Sequence, residues 1–243
     1  MKITILSLFP EIFEGFATST VIHRAIEKGI VEIEFKQLRD YSTNIHHHVD
    51  DSPFGGGAGM VLMCQPLVDA LKELQQENSY SVILSASGRL YNQQDAHAFA
   101  KKDHLILICG RYEGIDARVE DYVDDVISVG DYILTGGEIP AMIVADSVIR
   151  LLEGVIKEES VKEESYEDGL LEYPQYTQPA NYEGKEVPEI LLSGHHAKIK
   201  EYRHLQALLR TRKMRPDLFE KYPLTEEDKK QLEMFDEKNK IEK

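Results

Sequence analysis

The stretch HLILIC, His104 to Cys109, is a near-continuous apolar run of strand length that leaves directly into Gly110-Arg111-Tyr112-Glu113-Gly114. A strand with no polar alternation is buried on both faces, which points to a parallel sheet covered by helices rather than a sheet with one wet side. Its neighbours repeat the pattern. Tyr80 to Ala86 (YSVILSA) and Asp125 to Val129 (DVISV) are runs of the same kind, and the helical stretch Asn92 to Lys101 separates the first of them from HLILIC. Towards the N-terminus, Lys2 to Phe9 is apolar and β-branched up to Pro10, and Ile30 to Leu38 alternates Val31, Ile33 and Phe35 with Glu32, Glu34 and Lys36. Between these two strands, Thr18 to Lys28 reads as a short helix closed by Gly29. Ile139 to Leu152 reads as a longer helix of mostly apolar character. The fold class is therefore α/β, a parallel sheet with helices on both faces, filling about the first 155 residues.

The composition agrees with one large core or two smaller ones. The chain has 243 residues, 42% hydrophobic and 29% charged. No run reaches the roughly 18 apolar residues of a membrane span, and Glu11 stands where a signal peptide would be cleaved, so a cytoplasmic protein is expected. Cys64 and Cys109 sit alone in apolar context, which excludes a disulfide scaffold and a four-thiolate zinc site. The formal charge of −15 argues against a nonspecific polyanion binder, so a nucleic-acid partner would have to meet a local basic patch.

Such a patch follows an acidic stretch. From Glu153 to Glu189 there are 11 acids against Lys157, Lys162 and Lys185, a composition that buries little and reads as a linker. Ser193 to Pro216 then carries Lys198, Lys200, Arg203, Arg210, Arg212, Lys213 and Arg215 against Glu201 alone, on a helical pattern with Ile199, Tyr202, Leu205, Leu208 and Leu209 inward. Leu224 to Phe235 begins with Thr225 three residues before Asp228, which reads as a capped closing helix.

Three glycine-bearing loops leave consecutive strand ends: Ser85-Ala86-Ser87-Gly88-Arg89, Gly110 to Gly114, and Gly130 to Pro140 (GDYILTGGEIP). In open α/β sheets ligands bind outside the carboxyl ends of the strands, so the three loops converge on one crevice whose ligand is held chiefly by main-chain groups. A fourth loop, Pro53 to Met60 (PFGGGAGM), lets backbone approach a ligand or another chain closely. It lacks the Lys-Ser/Thr of a phosphate-binding loop and does not complete G-x-G-x-x-G, which disfavours a dinucleotide oxidoreductase. His46, His47 and His48 are adjacent in an extended loop and point to different sides, so solvent or RNA contact is expected of them and no metal site.

Together DDSPFGGGAGM, CGRYEGID, SVGDYILTGGEIPAM, GLLEYPQYTQP and LLSGHHAKI resemble the bacterial tRNA (guanine-N1)-methyltransferase family over nearly the whole chain. The resemblance implies S-adenosylmethionine-dependent methylation of the guanine immediately 3′ of the anticodon, a deep trefoil knot in the α/β domain, a small C-terminal helical domain, and a homodimer. It implies a division into a donor-binding domain at 1–157, an acidic linker carrying the general base at 158–174, and a helical tRNA-binding domain at 175–243. Carried over by position, Ala86, Ser87, Gly110, Ser128, Val129, Gly130, Tyr132, Leu134, Gly136, Gly137 and Pro140 would hold the methyl donor.

Glu113 and Arg150 fall where the family contacts the guanine, and Glu164, before Ser165-Tyr166, takes the place of an aspartate base. Glu163 and Asp168 are the neighbouring alternatives. Arg150 would stabilise charge on O6, and Ser165, Lys198, Arg203, Arg210, Arg212 and Arg215 would meet the tRNA. The chain departs from the family pattern at Ala86 and Ser87, which replace Pro-Gln, and at Ser52 and Gln178, which replace cations. The competing reading is a catalytically weak RNA-binding relative that keeps the donor pocket. The sequence leaves the need for a divalent ion open.

Overall fold

The computed structural model describes residues 1–157 and 164–241. The chain divides into two compact units, Met1–Lys157 and Glu158–Lys243.

The first unit is built on five parallel strands: β1 (Lys2–Ser7), β2 (Glu32–Gln37), β3 (Ser79–Leu90), β4 (His104–Cys109) and β5 (Asp125–Ser128). Their order in the sheet is β2-β1-β4-β3-β5, so the HLILIC strand lies at the centre. Alternation along each strand feeds two cores. Leu105, Leu107 and Cys109 of β4 join Ile3, Ile5, Val82 and Leu84 on one face, while Ile106 and Ile108 join Leu6 and Ile83 on the other. Each fully buried aliphatic side chain there contributes about 1.5–3 kcal/mol of transfer free energy.

Helices α1 (Thr20–Glu27), α3 (Gln93–Phe99) and α4 (Glu138–Ile149) cover the first face through Ile22, Phe99, Val144 and Val148. Helix α2 (Cys64–Leu74) covers the second through Leu67, Leu71 and Leu74. Helix α2 follows from Leu67, Leu71 and Leu74, which carry the spacing of an amphipathic helix. Strand β3 runs beyond the apolar run to Leu90, because the chain bulges: Leu84 and Arg89 both register with Ile127, and residues 85–88 are displaced between them. Arg89 clamps the far side of the bulge through Asp125 and Asp95. Among the described residues no helix is long and apolar enough to cross a membrane.

The described part of the second unit contains helices α5 (His196–Met214) and α6 (Glu226–Ile241), with shorter turns before and between them. Its core is Leu170, Ala207, Leu208 and Leu232, with Tyr173, Leu205, Phe219 and Tyr222 packed around them. The expectation that the acidic stretch buries little is corrected at Leu170, which is 2% exposed. The acids there are interrupted by Leu170, Leu171 and Tyr173, and those side chains suffice to dock the segment on α5. At the start of α6 the expected cap is present: Thr225 Oγ1 accepts from Asp228 N–H at 3.1 Å, and Asp228 accepts from Thr225 N–H at 2.9 Å.

Candidate functional site

At the carboxyl ends of β3, β4 and β5 the three glycine-bearing loops enclose a cavity of about 420 Å³. Every residue expected to hold the methyl donor lines it, from Ala86 and Ser87 of the β3 bulge through Gly110 to Ser128, Val129, Gly130, Tyr132, Leu134, Gly136, Gly137 and Pro140. The convergence follows from the parallel sheet, since strands running in one direction deliver their outgoing loops to the same edge.

Local hydrogen bonds fix each wall. Ser85 and Ser87 hydroxyls lie 2.9 Å apart within the bulge. Ser128 Oγ donates to Gly130 O at 3.0 Å, and Tyr132 OH donates to Val129 O at 3.2 Å, folding that loop back on the end of β5. Gly137 N–H donates to Gly110 O at 2.8 Å, joining two loops directly. A Cβ at Gly137 would lie 2.6 Å from Cys109 Cα and 2.7 Å from Gly110 N, so only glycine permits this approach. Burial, with Glu138 adding to it, pushes the Cys109 thiol well up, so this cysteine is an inert core residue at the end of β4.

Glu113 also lines the cavity. The Pro53–Met60 loop reaches it, because Glu113 N–H donates to Met60 O at 3.0 Å and a Cβ at Gly59 would lie 2.5 Å from Glu113 Oε1. That glycine leaves the Glu113 carboxylate the space it occupies. Arg150 caps the C-terminus of α4 and is half-buried. His47 meets Arg39 O through Nδ1 at 3.2 Å, while the rings of His46 and His48 pack 5.7 Å apart.

In the second unit a smaller cavity of about 290 Å³ is lined by Glu164, Asp168, Glu172, His196, Lys200, Arg203 and His204, among others. The segment carrying Glu164 is closed on itself and fastened to α5. Glu172 N–H donates to Ser165 Oγ at 2.9 Å, Tyr166 N–H to Leu170 O at 2.8 Å, and Leu171 N–H to the buried Thr211 Oγ1 at 2.8 Å. The Asp168 carboxylate accepts from Leu170 N–H at 3.0 Å, a turn role. Glu163, the other neighbouring acid, lies outside the described residues.

The expected tRNA cations divide by environment. Lys198, Lys200, Arg210 and Lys213 are exposed on α5. Arg212 makes a forked pair with Asp236, its Nη1 and Nη2 bonds being 2.9 and 2.8 Å, and Arg215 makes one with Asp217. Arg203 lies over the Tyr173 ring at 4.7 Å, and its Nε is buried without a hydrogen-bond partner among the described residues.

The family model for tRNA (Guanine-1)-methyltransferase TrmD matches residues 1–221. The chain belongs to that family. Its curated relatives include the tRNA (guanine-N(1)-)-methyltransferase of Clostridium botulinum (strain Langeland), 53% identical over 98% of this chain and 100% of the relative. The protein of the same description from Dictyoglomus turgidum is 50% identical over 96% of each chain, and that of Clostridium novyi is 52% identical over 97% of this chain and 98% of the relative.

Sequence reading missed three side chains that tie the large cavity together: Ser7, Arg111 and Glu138. Two of them stand inside quoted motifs, CGRYEG and GGEIP, and the available signal was a charged residue at the point where an apolar strand or helix begins or ends. Thr211 was missed as well, since nothing in a helical pattern announces that a threonine hydroxyl accepts from a distant backbone N–H.

Proposed function

We propose that this chain methylates N1 of the guanine immediately 3′ of the anticodon in tRNA, with S-adenosylmethionine as donor. The observation that carries the reading is the backbone-lined cavity of about 420 Å³ at three parallel strand ends, in a chain of this family. The cavity fits the donor in kind. Its volume falls in the range of small-molecule sites, its walls alternate glycine main chain with Leu134, Pro140 and Ile115, and Ser85, Ser87 and Ser128 add hydroxyls. S-adenosylmethionine, when bound, supplies an electrophilic methyl group on a sulfonium.

The chain's own residues do the rest. Glu164 takes the N1 proton as general base, freeing the nitrogen lone pair for the new N–C bond. Arg150 faces the negative charge that develops on O6, and Glu113 contacts the guanine. Asp168 is assigned no proton transfer because its carboxylate is already engaged in a turn. Ser165 and the cations of α5 position the tRNA, with Lys198, Lys200, Arg210 and Lys213 in direct phosphate contact and Arg203, Arg212 and Arg215 supporting the helix surface they share.

The proposal includes a trefoil-knotted path in the first unit, a cytoplasmic location and a homodimer in which the Gly55–Gly59 loop helps complete a site on the second copy. Support for the dimer comes from apolar side chains left in solvent beside the cavity: Ile133 is 84% exposed, Ile139 52% and Ile143 41%. Incubation of the full chain with S-adenosylmethionine and anticodon-stem RNA, read by mass spectrometry of the nucleosides, should yield 1-methylguanosine at the position 3′ of the anticodon. Bound RNA without product would support the weak RNA-binding relative instead.

A further inference from the structure

Glu138 is 3% exposed, and a buried carboxylate is costly unless its charge is met. Three groups meet it. Glu138 is the first residue of α4, where the helix dipole favours negative charge, and Oε1 accepts from Ser7 Oγ at 2.9 Å. Oε2 lies 3.6 Å from Arg111 Nη1. Arg111 is itself committed, since Nη1 donates to Thr135 O at 2.8 Å and the guanidinium lies over the Phe9 ring at 4.7 Å. A Cβ at Gly136 would collide with both Glu138 Oε2 and Arg111 Nη1, so the loop is drawn tightly over the pair.

These contacts join three separate pieces of chain: the end of β1 at Ser7 and Phe9, the loop after β4 at Arg111, and the loop before α4 at Thr135 to Gly137. The last two both line the large cavity and are joined edge to edge. A well-packed apolar trio would hold them at lower desolvation cost, so the charges are explained by the directional bond they direct at Thr135 O.

We infer that Ser7, Glu138 and Arg111 form a positioning array that fixes the Thr135–Gly137 wall against Gly110 and thereby sets affinity for the methyl donor. The inference rests on the reading that this cavity holds the donor. Arg111 lines the cavity itself, whereas Ser7 and Glu138 do not and act through Arg111, Thr135 and Gly137.

The test compares full-length wild type with Glu138→Gln, Arg111→Gln, Arg111→Lys, Ser7→Ala and the Glu138→Gln/Arg111→Gln double variant. Steady-state kinetics are run with S-adenosylmethionine and tRNA varied separately, alongside thermal melting and calorimetric titration of S-adenosylmethionine. Glu138→Gln and Arg111→Gln should each raise the KM for S-adenosylmethionine roughly tenfold, the equivalent of one charge-assisted hydrogen bond, while kcat and the KM for tRNA stay within about twofold. Arg111→Lys should restore part of the loss, and the double variant should fall well short of the product of the singles because one pair is broken once. Should Glu138→Gln fail to fold, Ser7→Ala and Arg111→Lys carry the test, each with a smaller rise in the same constant. A lowered melting temperature with an unchanged KM for S-adenosylmethionine would make the array merely structural and overturn the inference, leaving the cavity reading intact. No heat from S-adenosylmethionine with folded wild type would overturn both.

Discussion

The two cavities differ in what dominates their walls. The one in the first unit is walled mainly by glycine-bearing loops at the ends of parallel strands, with Glu113 and Arg111 among its charged lining residues and buried Glu138 paired to Arg111. The one in the second unit is walled by Glu164, Asp168, Glu172, Lys200, Arg203 and two histidines, on a segment held to one helix. Main-chain walls give shape and fixed dipoles that do not titrate, which suits holding a small molecule in one orientation. Side-chain walls give groups that can gain and lose protons and meet phosphates, which suits acting on a nucleic acid. The first kind is damaged by added volume, the second by lost charge.

The largest effect expected from breaking this contrast is at Glu164. Glu164→Gln keeps size and removes the carboxylate proposed as base, so single-turnover methyl transfer should fall about 100- to 10,000-fold with both ligands still bound. Glu164→Asp should fall on the order of 100-fold through misplacement, whereas Asp168→Asn should retain most turnover. Normal turnover in Glu164→Gln together with loss in Asp168→Asn or Glu163→Gln would move the base elsewhere.

Next comes added volume in the first cavity. Gly137→Ala places a methyl against backbone that cannot swing away, so a stability loss of about 1–3 kcal/mol by denaturant melting should accompany weakened donor binding. The same substitution at Gly29, where nothing lies within 4 Å of a Cβ, leaves donor binding unchanged.

A smaller effect is expected at the cap of α6. Asp228 has a lowered pKa: burial works against its charge but is outweighed by bonds from Thr225 and by the His204 ring at 2.6 Å. A carboxyl whose folded pKa lies below its unfolded value stabilises fully above the unfolded value, and that contribution is lost as pH falls through the folded one. Asp228→Asn should therefore cost about 1 kcal/mol near neutral pH, with the difference from wild type vanishing in acid below the ordinary carboxylate range. Equal deficits at pH 7 and pH 3 by chemical denaturation would refute the charge assignment.

The smallest effect is electrostatic. Each phosphate contact removed at Lys198, Lys200, Arg210 or Lys213 should flatten the log K against log salt slope for tRNA binding by roughly 0.7 to 0.9. Arg212→Gln should change it less, since Asp236 already holds that guanidinium. Equal slopes for wild type and a variant lacking all four lysine and arginine charges would remove α5 from the tRNA surface.

The first cavity was legible in the sequence because its logic is periodic. Apolar runs gave β3, β4 and β5, and glycine after each run gave the loops, so a rule about strand ends was enough to bring them together. What remained hidden was contact between residues far apart in the chain. Ser7 and Glu138 are 131 positions apart and Leu171 and Thr211 are 40 apart, and no local pattern couples such pairs. The acidic stretch misled for a related reason: average composition described the exposed acids and overlooked Leu170, whose burial depends on Leu208 in α5. Charge counting likewise could not separate Arg212 and Arg215, which have acidic neighbours in the fold, from exposed Lys198 and Lys200.

The first cavity is proposed to be a preformed site for the methyl donor. Calorimetric titration of S-adenosylmethionine into the full chain without RNA tests it most directly. Saturable binding near one donor per chain is expected, weakened by Gly137→Ala and retained in Glu164→Gln. Absence of heat at high donor concentration with folded protein, or binding lost in Glu164→Gln and kept in Gly137→Ala, would contradict it.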